Sequence, residues 1–495
     1  MPESARLSLA TLARLPEVVA RPRYDPASVG VGMVHLGLGA FHRAHEAVYA
    51  DDLLARDPRW GICGVSMKTP RAIAPLAAQD GLYTLLLKDP SATTARVVGS
   101  VREAMFAPAD PRALVRRMAD PRVTVVTLTV TEKGYCHDPA TGRLDLDHAD
   151  IRHDLGAPGE PRSAVGMLVA ALEERRRAGA GPLNVVCCDN LPHNGRVLQG
   201  LVATFAGERS RDLGAWIAAH AAFPCTMVDR IVPATTDADV ADVEARLGVR
   251  DAAPVVAEPW IQWVIEDRFA AARPAWEEAG AEIAADVAPY ETMKLRLLNG
   301  SHSTLAYLGF LAGHATIAQA ALDPRLGRLV ERQMAEEIVP TLVRPPGTDL
   351  ARYCASLLER FRNPALPHRT SQVAMDGSQK LPQRLLGTVR DRLAAGASIR
   401  HLTLAVAGWM RYASGVDERG ARIEVADPLA ARYADIAASA RGDPAALARG
   451  FLGLAPIFGR DLPAAPAFAD AVTRHLDSLV RRGVAATVDD HLARG

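Results

Sequence analysis

The chain has 495 residues, enough for two or three domains of ordinary size. Lys plus Arg equals Asp plus Glu at 57 each, so no net field recruits nucleic acid or an acidic membrane surface. An apolar fraction of 49% beside a charged fraction of 23% suits a chain that buries a sizeable core, and no apolar run reaches the ~18–20 residues of a membrane span.

The six cysteines are scattered without a Cys-x-x-Cys pair, and the first residues carry no secretory apolar stretch. Reduced thiols, a cytoplasmic location and no membrane or nucleic-acid partner are expected. Strands are predicted at 31–37, 61–67, 82–87, 96–101, 123–130, 183–188 and 226–228, with helices at 111–119, 163–178, 196–205 and 239–247 between several of them. The strand runs are too continuously Val- and Leu-rich to be half exposed, which suits a sheet covered on both faces. The reading is an α/β, Rossmann-like N-terminal domain with a doubly wound, mostly parallel sheet. From about Ala288 the strands disappear and Ala/Leu/Arg-rich helical segments follow one another, broken at 344–347 and 363–367 by Pro and Gly. The predicted division is a dinucleotide-binding domain over 1–287 and a mainly α-helical catalytic domain over 288–495.

The first strand runs into Gly37-Leu38-Gly39-Ala40-Phe41-His42-Arg43-Ala44-His45 and then a helical pattern. Strand, glycine turn and helix form the context in which backbone approaches a dinucleotide pyrophosphate. His42 stands where the usual motif has its third glycine, so the signal alone is also that of a tight turn. No carboxylate follows the second strand to hold a ribose diol. Lys68 and Arg71 are there instead, which leaves NADP open beside NAD.

The densest polar cluster in an apolar setting runs from Tyr290 to Ser303. On an α-helix at ~100° per residue, Asn299 lies ~140° and His302 ~80° round from Lys294. A desolvated amine suits proton abstraction from a secondary alcohol, and an amide suits the developing oxyanion. The same spacing also fits a surface lysine, a capping asparagine and a core histidine. Asp189-Asn190 and Asp229-Arg230 follow the strands at 183–188 and 226–228, at the edge where open α/β sheets bind ligands. His35, His42 and His45 come without a zinc ligand set, so no metal is expected. The sequence contains no Gly-x-Ser-x-Gly elbow and no P-loop.

The segments Gly37–His45, Thr131–Tyr135, Cys188–Asn190, Met227–Ile231 and Lys294–His302 together resemble the mannitol dehydrogenase family of polyol-specific long-chain dehydrogenases, over about residues 20 to 490. The resemblance implies NAD as cofactor, metal-independent oxidation of a secondary alcohol on a small polyol or sugar acid, and a monomer. It makes Lys294 the general base, Asn190 and Asn299 the oxyanion hole, and His302 the residue that orients the substrate. Glu291 would gate proton exchange, and Asp229 and Lys380 would wall the pocket. Gly37, Leu38, Gly39, Ala40, Phe41, Met67 and Thr131 would bind the cofactor. Two further segments, Thr131–Cys136 and His368–Gln383, resemble the fructuronate reductase branch, in which D-mannonate and D-fructuronate interconvert. Lys133 and Arg369 would then meet the substrate carboxylate. Leu191–Gly195 instead resembles the mannitol branch, whose members act on mannitol or arabinitol.

Overall fold

The computed structural model describes residues 5–138 and 141–494. The chain divides into two compact units, one up to Ala288 and one from Pro289 on.

The first unit carries twelve strands: β1 Val31–Leu36, β2 Gly61–Ser66, β3 Tyr83–Lys88, β4 Thr93–Val98, β5 Val101–Phe106, β6 Val125–Leu128, β7 Leu183–Cys187, β8 Ala221–Ala222, β9 Thr226–Asp229, β10 Val255–Ala257, β11 Gln262–Glu266 and β12 Glu282–Ala284. Six of them form one all-parallel sheet in the order β5-β2-β1-β6-β7-β8. The other six make two three-stranded sheets, β10-β3-β4 and β12-β11-β9. Every residue of β2, β6 and β7 is buried, which is why their sequences run through Val, Leu and Cys without polar alternation. The parallel sheet and its crossover helices, including Pro111–Ala119 and Ala164–Ala178, bear out the doubly wound reading. The order reverses between β1 and β6, so the loops after these two strands border the crevice in which such sheets bind nucleotides.

One expectation fails in an informative way. The run 96–101 was predicted as a single strand, but the chain changes sheets there. β4 ends at Val98, Gly99 and Ser100 turn the corner, and β5 begins at Val101. A side chain on Gly99 would crowd Tyr24, Leu82 and Pro22 at 3.1–3.3 Å, so the corner packs most closely around glycine.

In the second unit, helices 301–311, 400–413 and 466–493 pack around a core that includes Leu305, Leu308, Trp409, Phe451, Phe458 and Leu476. No strand occurs among its described residues, which bears out the expected helical character. Three segments are π-helical rather than α: Lys294–Gly300, Gln333–Ile338 and Pro382–Leu386. No helix of the described residues is long and apolar enough to cross a membrane.

Candidate active site

In the first unit a cavity of 1090 Å³ opens at the reversal point of the sheet, lined by Gly37, Leu38, Gly39, Ser66, Met67, Thr129 and Thr131, among others. The backbone N–H groups of Gly37 and Leu38 donate to the Val65 carbonyl at 2.8 and 2.9 Å, which folds the loop back over the end of β2. Gly37 has φ of 108°, and a side chain there would meet the Thr129 carbonyl oxygen at 2.2 Å. No other residue can occupy that position without moving β6. Gly39 caps the helix Ala40–Ala44, whose first N–H groups lack intrahelical partners. Five of the seven predicted cofactor residues thus line one cavity. Ala40 and Phe41 start the helix beside it, with Phe41 stacked 5.0 Å from His45.

The missing third glycine has a physical reason. His42 lies flat on the ring of His35 from β1, with centroids 3.4 Å apart and planes 12° apart. Helix and strand therefore approach through stacked imidazoles instead of bare backbone. His35 bonds Thr127 at 2.7 Å and Thr129 at 2.8 Å, and burial holds it neutral. Buried Glu46 faces His42 at 3.3 Å and His45 at 3.6 Å. Burial would raise its carboxyl, but the two imidazoles outweigh that and hold it well below the usual range.

Lys133 is exposed on the wall of the same cavity. Beside it Cys136, His148 and Asp150 bring potential ligand atoms within 4.8 Å of one another, the one such group among the described residues. The Asp150 N–H already donates to His148 Nδ1 at 3.2 Å, and burial pushes the Cys136 thiol up to about 11.

Asp189, just beyond β7, was placed by the sequence at the ligand-binding edge of the sheet but given no role, and its bonds make it a positioning residue. Its carboxylate accepts the N–H groups of Val130 and Thr131, each at 2.9 Å, and the Tyr135 hydroxyl. Burial pushes its pKa up to about 6 despite these donors. The bonds hold Thr131 at φ 65°, a strained conformation for a β-branched residue. Asn190 follows, exposed at the strand end. Asp229 ends β9, buried, and accepts from the Trp260 indole at 3.1 Å. Its neighbour Arg230 donates to the Glu258 and Ala44 carbonyls at 2.9 and 2.6 Å, which ties the glycine-loop helix to β9.

In the second unit Lys294, Asn299 and His302 are 6, 7 and 7% exposed, on one continuous helical run from Ala288 to Leu311. The run is α up to Met293, π over 294–300 and α again from Ser301. This corrects the angular reading above, which assumed an α-helix throughout. A π segment closes its hydrogen bonds i→i+5, which brings Asn299 round toward the side of Lys294 instead of ~140° away. Such segments recur at functional sites. Glu291 is half-buried one turn before Lys294.

The π segment is held from outside. Thr304 donates to the Gly300 carbonyl at 3.1 Å and lies 3.0 Å from Gln333 on the second π segment. Gly300 itself faces the backbone of the third: a side chain there would meet the Arg384 carbonyl oxygen at 2.7 Å. His302 stands edge-on to His368 at 5.0 Å and 5.4 Å from Phe361. Burial first, then coupling to His368 and the nearby cations Arg384, Lys380 and Arg360, holds His302 well below the usual histidine range. Lys380 is half-buried and donates to the Val373 carbonyl at 3.3 Å. Arg369 is exposed at the N-terminus of the helix 370–373, its backbone bridged to Thr316. His368 and Arg384 lie beside His302 but were not among the residues singled out from sequence.

Residues 31–278 match the mannitol dehydrogenase Rossmann domain and residues 286–480 the mannitol dehydrogenase C-terminal domain. The chain belongs to the mannitol dehydrogenase family. Within that family it is 48% identical to the D-mannonate oxidoreductase of Escherichia coli K12 over 470 residues, 94% of this chain and 96% of the relative. It is 46% identical to a second protein of that organism, the uncharacterized oxidoreductase YeiQ, over 95% of this chain and 96% of the relative. Among solved structures, the Pseudomonas fluorescens mannitol 2-dehydrogenase in ternary complex with NAD and D-mannitol is 38% identical. That match covers 99% of this chain and all of the other, with a TM-score of 0.92.

Proposed function

We propose that the protein catalyses the reversible, NAD-dependent interconversion of D-mannonate and D-fructuronate. The observation that carries the reading is the buried Lys294 on a π segment that turns Asn299 toward the same side. The sugar-acid substrate is supported by the 48% identical D-mannonate oxidoreductase, and NAD by the solved relative's ternary complex. The Gly37–Gly39 cradle fits a dinucleotide, because it leaves room for backbone alone against Thr129.

When bound, the nicotinamide supplies the acceptor for the hydride that leaves the carbinol carbon. Lys294, as neutral amine, takes the hydroxyl proton as the carbonyl forms, and burial favours that neutral state. Asn299 and Asn190 donate to the oxygen while it carries negative charge. His302, uncharged, orients the substrate, and Glu291 passes the Lys294 proton to water. Asp229 and Lys380 complete the polar wall of the substrate site. Asp189 acts indirectly, by fixing the Thr131 loop against the cofactor.

Turnover of D-mannonate and D-mannitol, each with NAD and with NADP, tests the proposal. D-mannonate with NAD is expected to give the highest kcat/KM, and a higher value for mannitol would overturn the sugar-acid reading. That second reading, a mannitol 2-dehydrogenase or arabinitol 4-dehydrogenase, is favoured by the structural match to an enzyme holding D-mannitol.

A further inference from the structure

Two buried imidazole nitrogens in the second unit have no hydrogen-bond partner among the described residues: Nε2 of His302 and Nδ1 of His368. The rings stand edge-on with centroids 5.0 Å apart. A buried unpaired nitrogen costs on the order of 1–3 kcal/mol, so two in one place point to a polar guest that pairs with them when it binds. Both rings are neutral at pH 7. Burial holds His302 well below its usual range and brings His368 down to about 4. Each ring therefore offers one donor and one acceptor.

The charged side chains that lower His302 most are all cations. Lys380 and Arg384 lie on the helical run 377–394, which is π over 382–386, and the charge of each acts on His302. Arg360 adds a third cation to the neighbourhood of His302. Arg384 is anchored, with Nη1 donating to the Ser303 hydroxyl at 3.1 Å, next in chain to His302. Its backbone carbonyl is the group packed against Gly300. The guanidinium is thus fixed relative to the π segment that carries Lys294 and Asn299.

We infer that Arg384, together with His368 and His302, forms the subsite for the carboxylate of a sugar-acid substrate. The inference rests on the proposed function and replaces the exposed Arg369 as the carboxylate partner. The reach is right. In D-mannonate the carboxylate lies four carbons from the carbon oxidised, and His302 is three residues beyond Asn299, ~4.5 Å along the helix axis. A guanidinium can meet a carboxylate with two parallel bonds, and an imidazole N–H can take a third lone pair.

The test compares wild-type protein with Arg384→Met and Arg384→Lys on D-mannonate and on D-mannitol, and measures inhibition of mannitol oxidation by D-gluconate, an acid that carries the same group. Arg384→Met is expected to raise KM for D-mannonate about tenfold or more, to change kcat/KM for mannitol less than about threefold, and to relieve gluconate inhibition. Arg384→Lys should recover part of the mannonate affinity, since it keeps the charge and loses the fork. Equal losses on both substrates, or gluconate inhibition unchanged by Arg384→Met, would overturn the subsite. Failure of the wild type to oxidise D-mannonate would overturn the proposed function instead, and gluconate inhibition that depends on Arg384 would still support an anion subsite. If Arg384→Met does not fold, His368→Leu makes the same comparison.

Discussion

Gly300 faces a backbone carbonyl, and that makes its replacement by alanine a sharp test of the site. The added methyl would stand 2.7 Å from the Arg384 oxygen, where a carbon–oxygen contact normally needs about 3.3 Å. No side chain can swing away, so the two π segments must separate by roughly 0.6 Å. Forced overpacking of this kind costs about 1–3 kcal/mol, or roughly 2–12 °C in Tm for a unit of this size. The same displacement moves Lys294 and Asn299 against the rest of the site, and misplacement near 1 Å costs about a hundredfold. Gly300→Ala should therefore lower kcat about tenfold as well as Tm. Gly387→Ala is the control, because a side chain there finds its nearest atoms, from Arg296 and Pro382, at 3.7 Å. It should leave Tm unchanged or slightly raised. Differential scanning calorimetry and steady-state kinetics read both effects. If Gly300→Ala matches Gly387→Ala in Tm and kcat, the two π segments do not pack backbone to backbone and the reasoning fails.

Three further outcomes are expected. Lys294→Met should lower kcat at least about a hundredfold while NADH binding, followed by fluorescence titration, stays intact; a loss under tenfold would remove the base from the mechanism. Gly37→Ala should abolish NADH binding in the same titration, since the methyl would lie 2.2 Å from the Thr129 carbonyl at a φ of 108°; retained binding would place the dinucleotide elsewhere. The Asp189 carboxyl is raised from 3.8 to about 6 in the fold, so the folded protein binds the proton more tightly than the unfolded chain does. Its contribution to stability is complete below pH 3.8 and is lost as the pH rises through about 6. Denaturant midpoints should show this fall in the wild type relative to Asp189→Asn, and parallel pH profiles would contradict it.

Much of the fold was legible because burial leaves a direct imprint. β2, β6 and β7 are covered on both faces, and their Val- and Leu-rich runs announced strands within a residue or two. The strands β10 and β12 have three residues each, too short to show any period, and neither was predicted. The sheet change at Gly99–Ser100 was hidden because β4 and β5 read as one apolar run, although a glycine within a strand pattern is itself a signal of a corner. Arg369, read from sequence as a carboxylate partner, and its neighbour His368 are placed differently by the fold. Arg369 carries the obvious charge, but its backbone pairs with Thr316 and its side chain faces solvent, while His368 turns inward.

The π segment was beyond reach for a deeper reason. Nothing in Lys294-Leu295-Arg296-Leu297-Leu298-Asn299-Gly300 disfavours an α-helix until glycine, and the π register is rarer and poorer in hydrogen bonds. It persists because distant residues offset it. Thr304 takes up the Gly300 carbonyl, Gln333 lies within bonding distance of that hydroxyl, and the Arg384 backbone fills the space that Gly300 leaves open. Gln333 and Arg384 belong to the two other π segments. Three irregular turns, far apart in sequence, thus meet around Gly300 and Thr304. The angle between the amine of Lys294 and the amide of Asn299 is therefore a property of tertiary packing. A sequence can name both residues while leaving the geometry that makes them a pair undetermined.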